Sequence, residues 1–514
     1  MKKIICLAAA VILAVSAAGC GNTGDTSEAS SASSQTQIEV AAGYERYDVG
    51  EALDTVTAGF GAQIDTDVYM PWNNLTADEE AMLEKRIADM NLQFTRIKFF
   101  PEFFERANDN DDPDIFDADA EGIDFDSTEM QALYKILDIC EKYGINVDLS
   151  WYGCYAWFDS YDGKYDGSWL GYSDEVTMQK NWVTAPRKTA EFDGFAEYAE
   201  NIYVGLDYLI NVKKYTCLYG FSVIAEMFMD DKGVISWDAY AECVKGIDER
   251  LEKEGLRDKI KFLGTSNNGN SPKYFKDEQA KTKDYFDILG TGNYNWDNDD
   301  YNESMETYFA DIIGIARDYG KQGWYVAEFC QGKHFINAVD KEDIDWYEAG
   351  LYISRFVIAA ASQGATMLNH YILGDTWFTN SYVHTMGLWA YRDKGWKAHP
   401  EYYFYGLICK YTDIGSKVYP IKSTDDVSMI AFQLPDGSWS YMMANCAGAA
   451  KKVAVVNAAS DGPKKLDAYK VTEALIPSDR AVELPAAYDN VDASGGVAYV
   501  TLPANGFVVL SDKK

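Results

Sequence analysis

The sequence predicts an α/β protein: a (β/α)8 TIM barrel followed by a small antiparallel β-sandwich. Three observations carry that prediction. Short apolar runs alternate with longer amphipathic stretches from about Leu53 to Tyr411, the pattern of buried parallel strands separated by helices. Two of those runs stop at a carboxylate, Glu226 and Glu328, which places acidic side chains at strand ends where barrel enzymes keep their chemistry. After Tyr411 the helical pattern gives way to short β-prone runs split by turn residues.

The chain begins with an export signal. Lys2 and Lys3 form its charged start, Ile4 to Val15 its apolar middle, and Ala17-Ala18-Gly19-Cys20 its small-residue cleavage site. The last tetrapeptide resembles a bacterial lipobox, which implies cleavage before Cys20, lipidation of its thiol, and anchoring at the extracellular face of a cell envelope. Residues 21–40 are rich in Ser, Thr, Ala and Gly, too polar to bury a core, and read as a flexible tether. The barrel is assigned to residues 41–414 and the sandwich to residues 415–514.

The eight predicted barrel strands are Val56–Gln63, Phe94–Phe99, Asn146–Trp151, Tyr219–Glu226, Lys261–Thr265, Ile288–Tyr294, Trp324–Glu328 and Ala365–Tyr371. Helices separate most of them. Thr76 and Glu79 form a capping box ahead of Leu83, Ile87 and Met90. Asp126 is the expected start of a helix whose apolar face is Met130, Leu133, Leu137 and Cys140, stopped by Gly144. Trp237, Tyr240, Val244, Ile247 and Leu251 recur at helical spacing and end at Gly255. Beyond the barrel, Val427–Leu434, Ser438–Asn445, Lys452–Val456, Val497–Leu502 and Gly506–Leu510 are the sandwich strands.

Composition excludes several functions. A formal net charge of −35 repels nucleic acid and anionic polysaccharides alike. Apart from Cys6 and Cys20, the cysteines are scattered without CxxC spacing, so buried free thiols are expected and no zinc site. The four histidines show neither HxH nor HExxH, no GxSxG elbow is present, and Gly290-Thr291-Gly292 lacks the third glycine of a dinucleotide loop. No cofactor and no catalytic metal are implied. The segment from Asn108 to Asp126 is strongly acidic, and Asp117-x-Asp119-x-Glu121-Gly122 begins like a calcium loop. Thr128 stands where that pattern requires Glu, so a solvated loop is expected there.

The two glutamates point to chemistry. Roughly a hundred residues separate them, about three β/α units of ~30 residues, which puts them on the fourth and seventh strands of one barrel. Two carboxyls about 5 Å apart across one cavity are what retaining cleavage of a glycosidic bond requires, one as acid/base and one as nucleophile. Arg96 and Tyr294, at the ends of the second and sixth strands, are candidates to donate to the ionised partner. The loop after the third strand carries Trp151, Trp157 and other aromatics among Asp, Gly and Ser, and Trp296 follows the sixth strand. Flat rings of this kind suit the apolar faces of sugars, and packing within the loop is the competing role.

With these residues in place the chain resembles clan A of the glycoside hydrolases, barrel enzymes that include families 5, 30 and 39, several with a C-terminal sandwich. The resemblance implies that Glu226 is the acid/base and Glu328 the nucleophile, that Arg96 and Tyr294 contact the nucleophile, and that Trp377 lies under the sugar. The clan usually carries Asn before the acid/base, where this chain has Ala225. The expectation is a cell-surface retaining hydrolase of β-linked glycans or oligosaccharides such as β-glucan, mannan or xylan. The alternatives are a non-catalytic sugar-binding lipoprotein of two doubly wound lobes and a degenerate barrel that binds glycan without cutting it.

Overall fold

The predicted strands form one parallel sheet. In the computed structural model the described residues are 38–71, 74–106, 109–110, 112–151, 195–223, 237–264, 272–293, 301–330, 346–379, 382–390, 392–459 and 461–514. The first strand, β1 (Glu45–Asp48), lies outside the barrel. The barrel strands are β2 (Gly59–Ala62), β3 (Phe94–Phe99), β4 (Asn146–Trp151), β5 (Leu218–Val223), β6 (Lys261–Phe262), β7 (Leu289–Asn293), β8 (Trp324–Phe329) and β9 (Ala365–His370). They pair in the order β6-β5-β4-β3-β2-β9-β8-β7. A parallel bridge from Leu263 to Ile288, just past β6 and just before β7, joins the two edges. Every edge strand is thereby paired, and the sheet closes on itself.

Helices follow the strands as the periodicity requires. Thr76 caps the helix Ala77–Asp89 with both halves of the capping box formed. The helix Thr128–Tyr143 ends at Gly144, whose φ of 66° is the left-handed cap that favours glycine. Its start differs from expectation by one residue. Ser127, not Asp126, is the cap: its hydroxyl accepts from the Met130 amide at 3.1 Å and also donates to the Phe103 carbonyl. Gly61 is where β2 approaches β3 most closely, since a Cβ there would lie 1.6 Å from the Phe94 carbonyl oxygen.

The barrel interior is layered. Phe94, Leu263, Tyr325, Ala327 and Met367 form a small apolar cluster. Strand alternation then carries Arg96 above Phe94 and Asn369 above Met367, so a polar layer rests on the apolar one. On β4 the same alternation turns Asp148 and Ser150 inward, while Val147, Leu149 and Trp151 join the large outer core under the helices.

The C-terminal strands are β12 (Lys417–Pro420), β13 (Val427–Gln433), β14 (Trp439–Asn445), β15 (Lys451–Val456), β16 (Lys465–Val471), β17 (Asp489–Asp492), β18 (Val497–Leu502) and β19 (Gly506–Ser511), after the hairpin β10 (Thr376–Thr379) and β11 (Tyr382–His384). A six-stranded antiparallel sheet runs β12-β13-β14-β19-β16-β17, and a three-stranded sheet runs β1-β15-β18. Their facing sides share a second core that includes Met429, Tyr441, Val453, Val500 and Leu510. The opposite face of the larger sheet, with Ile430, Phe432, Met442 and Val509, packs into the main core with the barrel helices. β1 pairs in parallel with β15, so the N-terminal strand crosses the boundary near residue 415 and the smaller sheet draws on both ends of residues 40–514. β12, β16 and β17 were not anticipated; each mixes charged residues into its pattern, as in Lys465, Asp467 and Lys470. Among the described residues Cys140, Cys217, Cys243, Cys330, Cys409 and Cys446 are free thiols, and no helix is long and apolar enough to cross a membrane.

Candidate active site

Glu328 stands near the carboxyl end of β8, but strand alternation alone would turn it away from the barrel. Tyr325 and Ala327 already belong to the interior cluster, so the next inward residue would be Phe329. A β-bulge changes this. Thr291 of β7 pairs with Val326 and the next residue, Gly292, pairs with Glu328, skipping Ala327. The register with β9 shifts over the same stretch. The extra residue re-aims Glu328 inward. Phe329 then points out and stacks on Phe356 of the helix Trp346–Ser362, with ring centroids 4.6 Å apart.

The inward carboxylate meets Arg96. Glu328 is 1% exposed and Arg96 0%, and Nη1 of the guanidinium forms a short ion pair with Oε1 of Glu328. Arg96 is held from several sides. Nη1 also reaches the Gln63 amide oxygen at 3.3 Å, Nη2 donates to the Ser150 hydroxyl at 3.0 Å, and Nε lies 3.9 Å from Asp148 Oδ2. A guanidinium suits this role because its charge persists when buried and its fork serves several acceptors at once.

Asp148 is the second carboxyl of the layer. Burial pushes its pKa up to about 6, against the opposing pull of Arg96, Ser222 and Tyr325. The Ser222 hydroxyl lies 3.2 Å from its Oδ2, and the Tyr325 hydroxyl lies 3.4 Å from it while donating to the Gly264 carbonyl at 2.8 Å. Farther toward the mouth, Gln63 donates to Asp65 at 2.9 Å. Lys98 reaches Asp65 at 3.5 Å and the Tyr371 hydroxyl at 3.4 Å. A cavity beside these groups is lined by Gln63, Asp65, Tyr69, Asp375, Trp389 and Trp396 among others.

The predicted residues divide into three sets. Arg96 and Glu328 are brought together. Trp151 is a correction: it is fully buried, packs 4.5 Å from the Phe99 ring and donates its indole N–H to Asn201 at 3.0 Å. Its odd position on β4 sends it into the outer core, so it cannot line a sugar-binding wall. Glu226, Trp157, Tyr294, Trp296 and Cys20 lie outside the described residues, as does the side chain of Trp377, whose backbone belongs to the β10 hairpin rather than to a barrel strand. The aromatic directly after β9 is Tyr371, 6% exposed. Gln63, Asp148, Ser150 and Ser222 were missed. Their signal was available, because Asp148 and Ser150 are alternate polar residues inside an otherwise apolar strand.

Several solved structures have a similar fold. A glycoside hydrolase family 30 subfamily 8 xylanase from Clostridium acetobutylicum is 14% identical, with a TM-score of 0.60 over 91% of this chain and 98% of that one. A family 30 endoxylanase from Clostridium papyrosolvens is 15% identical, with a TM-score of 0.61 over 91% and 99%. An endo-β1,6-glucanase is 14% identical, with a TM-score of 0.60 over 92% and 96%. No protein-family model matches the chain, and no curated protein does. The chain shares its fold, a barrel with an attached β-sandwich, with these three proteins.

Two outcomes follow from the buried charges. Arg96→Met leaves Glu328 without its counter-charge and should cost about 3–5 kcal/mol in urea denaturation, most of it recovered when Glu328→Leu is added. The folded chain holds the Asp148 proton more tightly than the unfolded chain, so this group lowers stability as pH rises from the ordinary 3.8 to about 6. Asp148→Asn should therefore shrink the stability lost between pH 4 and pH 7, measured by the same denaturation.

Proposed function

We propose that this chain is a retaining glycoside hydrolase acting on β-linked glycans or oligosaccharides. The observation that carries the reading is the buried Arg96–Glu328 pair, with Glu328 near the carboxyl end of its strand, inside a barrel whose fold is shared with xylanases and a β1,6-glucanase. In this mechanism Glu328 attacks the anomeric carbon while Glu226 protonates the departing oxygen. Water then cleaves the glycosyl-enzyme with Glu226 acting as base. Arg96 fixes the attacking carboxylate and offsets its charge, at no cost of reorganisation during reaction. Glu226 follows β5, whose last residue is Val223, and its role rests on the clan resemblance. The barrel fold speaks against a sugar-binding lipoprotein built of two doubly wound lobes. Ala225, where the clan usually has Asn, favours a second reading in which the barrel binds glycan without cleaving it.

The two readings separate on a panel of β-glucan, mannan and xylan. Cleavage by the parent chain, the retained anomer first by NMR, and a loss on the order of 10³-fold or more in Glu328→Gln with sugar binding kept support hydrolysis. An inverted first product, or binding with no products at all, refutes it. We also propose that the chain is anchored by lipid on Cys20 at the outer face of a bacterial envelope, a reading supported by the Ala17-Ala18-Gly19-Cys20 box after an apolar run. Cys20→Ala should move the protein from the membrane fraction to the soluble one; unchanged fractionation would contradict it.

A further inference from the structure

In the acidic segment after β3 several carboxylates accept hydrogen bonds from nearby backbone amides. The Asp119 amide donates to Asp117 Oδ1 at 3.0 Å, the Asp114 amide to Asp112 Oδ1 at 3.2 Å, and the Asp126 amide to Asp124 Oδ1 at 2.9 Å. These carboxylates brace turns. Asp109 behaves differently. Its Oδ2 accepts from the side-chain Nδ2 of Asn110 at 3.1 Å and from the Asp117 backbone N–H, while its Oδ1 is buried with no hydrogen-bond partner.

Asp109 faces the helix Phe195–Asp207, where Glu197 and Glu200 are three residues apart and so share a face. One oxygen from each of Asp109, Glu197 and Glu200 lies within 4.8 Å of the other two. Glu200 is 1% exposed, yet neither of its oxygens accepts a hydrogen bond. Among the described residues the nearest cation, Arg250 Nη2, stands 3.7 Å from Oε1, too far for one, and its Nε lies 3.1 Å from Glu254. Glu105, also buried, adds to the negative field at Glu200, and burial with these like charges pushes the Glu200 carboxyl up to about 8. At 3.7 Å the guanidinium leaves both oxygens of the buried Glu200 carboxyl without a hydrogen bond.

We propose that Asp109, Glu197 and Glu200 bind a hard divalent cation of the calcium class, which clamps the acidic segment to this helix. The donor set is all oxygen, as such cations require. Calcium–oxygen bonds of about 2.3–2.6 Å give a coordination sphere about 4.6–5.2 Å across, which accommodates the spacing of the three oxygens. The clamp is independent of the hydrolase reading, because none of its ligands belongs to the barrel interior. It joins the connection after the strand bearing Arg96 to the helix that precedes β5.

The test uses the full chain, stripped with EDTA and titrated with calcium chloride by calorimetry at pH 7.5, with the thermal midpoint followed in parallel. Saturable binding of one equivalent and a raised midpoint are expected. Glu200→Gln and Asp109→Asn should each weaken binding by more than about tenfold, through loss of ligand charge. If Glu200→Gln fails to fold, Asp109→Asn decides. Binding unchanged in the variant would place the ion elsewhere and overturn the proposal. So would a parent chain indifferent to calcium whose cation-free midpoint rises on Glu200→Gln, since the carboxylates would then simply share protons.

Discussion

The buried guanidinium of Arg96 is the constraint on which the rest of the barrel interior depends. A carboxylate as enclosed as Glu328 is costly unless paired and hydrogen-bonded. Arg96 meets that requirement only because Ser150 and Asp148 of β4 and Gln63 just past β2 hold the fork. Three strands and the residue just after β2 thus contribute to the setting of one charge pair. Asp148 shows the limit of a single cation: buried beside Arg96, its proton is still held to about pH 6. The polar layer is a balance between desolvation and one shared positive charge.

Backbone irregularity does the aiming. Without the extra residue at Ala327, Glu328 would face the helices and Phe329 the barrel mouth. The bulge lets one strand serve two opposed needs, an acidic group inward and an aromatic stack against Phe356 outward. Alternation without a bulge does the same sorting on β4, where Asp148 and Ser150 turn in and Trp151 turns out. Position at a strand end is therefore insufficient to define a site residue. The face decides.

The C-terminal sheets are part of the same packing problem. β13 is buried over all but its last residue because one face meets the smaller sheet and the other meets the barrel helices. A strand covered on both sides reads as an unbroken apolar run, which is why β13 and β14 were visible in the sequence. Edge or half-covered strands such as β12, β16 and β17 carry charges on their wet side and lose that signal.

Local pattern sufficed for the barrel strands and the helices between them. Eight apolar runs, the Thr76–Glu79 box and the glycine after Tyr143 are read within a few residues of chain, and the physics that sets them is equally short-ranged. The same runs placed Glu328 near a strand end, as observed, whereas Arg96, expected at a strand end, is the third of six residues in β3. Which residues meet is a different matter. The Arg96–Glu328 contact, the supporting Gln63 and Asp148, the outward turn of Trp151 and the pairing of Glu45–Asp48 with β15 all join segments distant in the chain. They depend on register, bulge and closure. Those are settled only when burial of the whole sheet is weighed against every buried charge, and that balance exists in the folded protein alone.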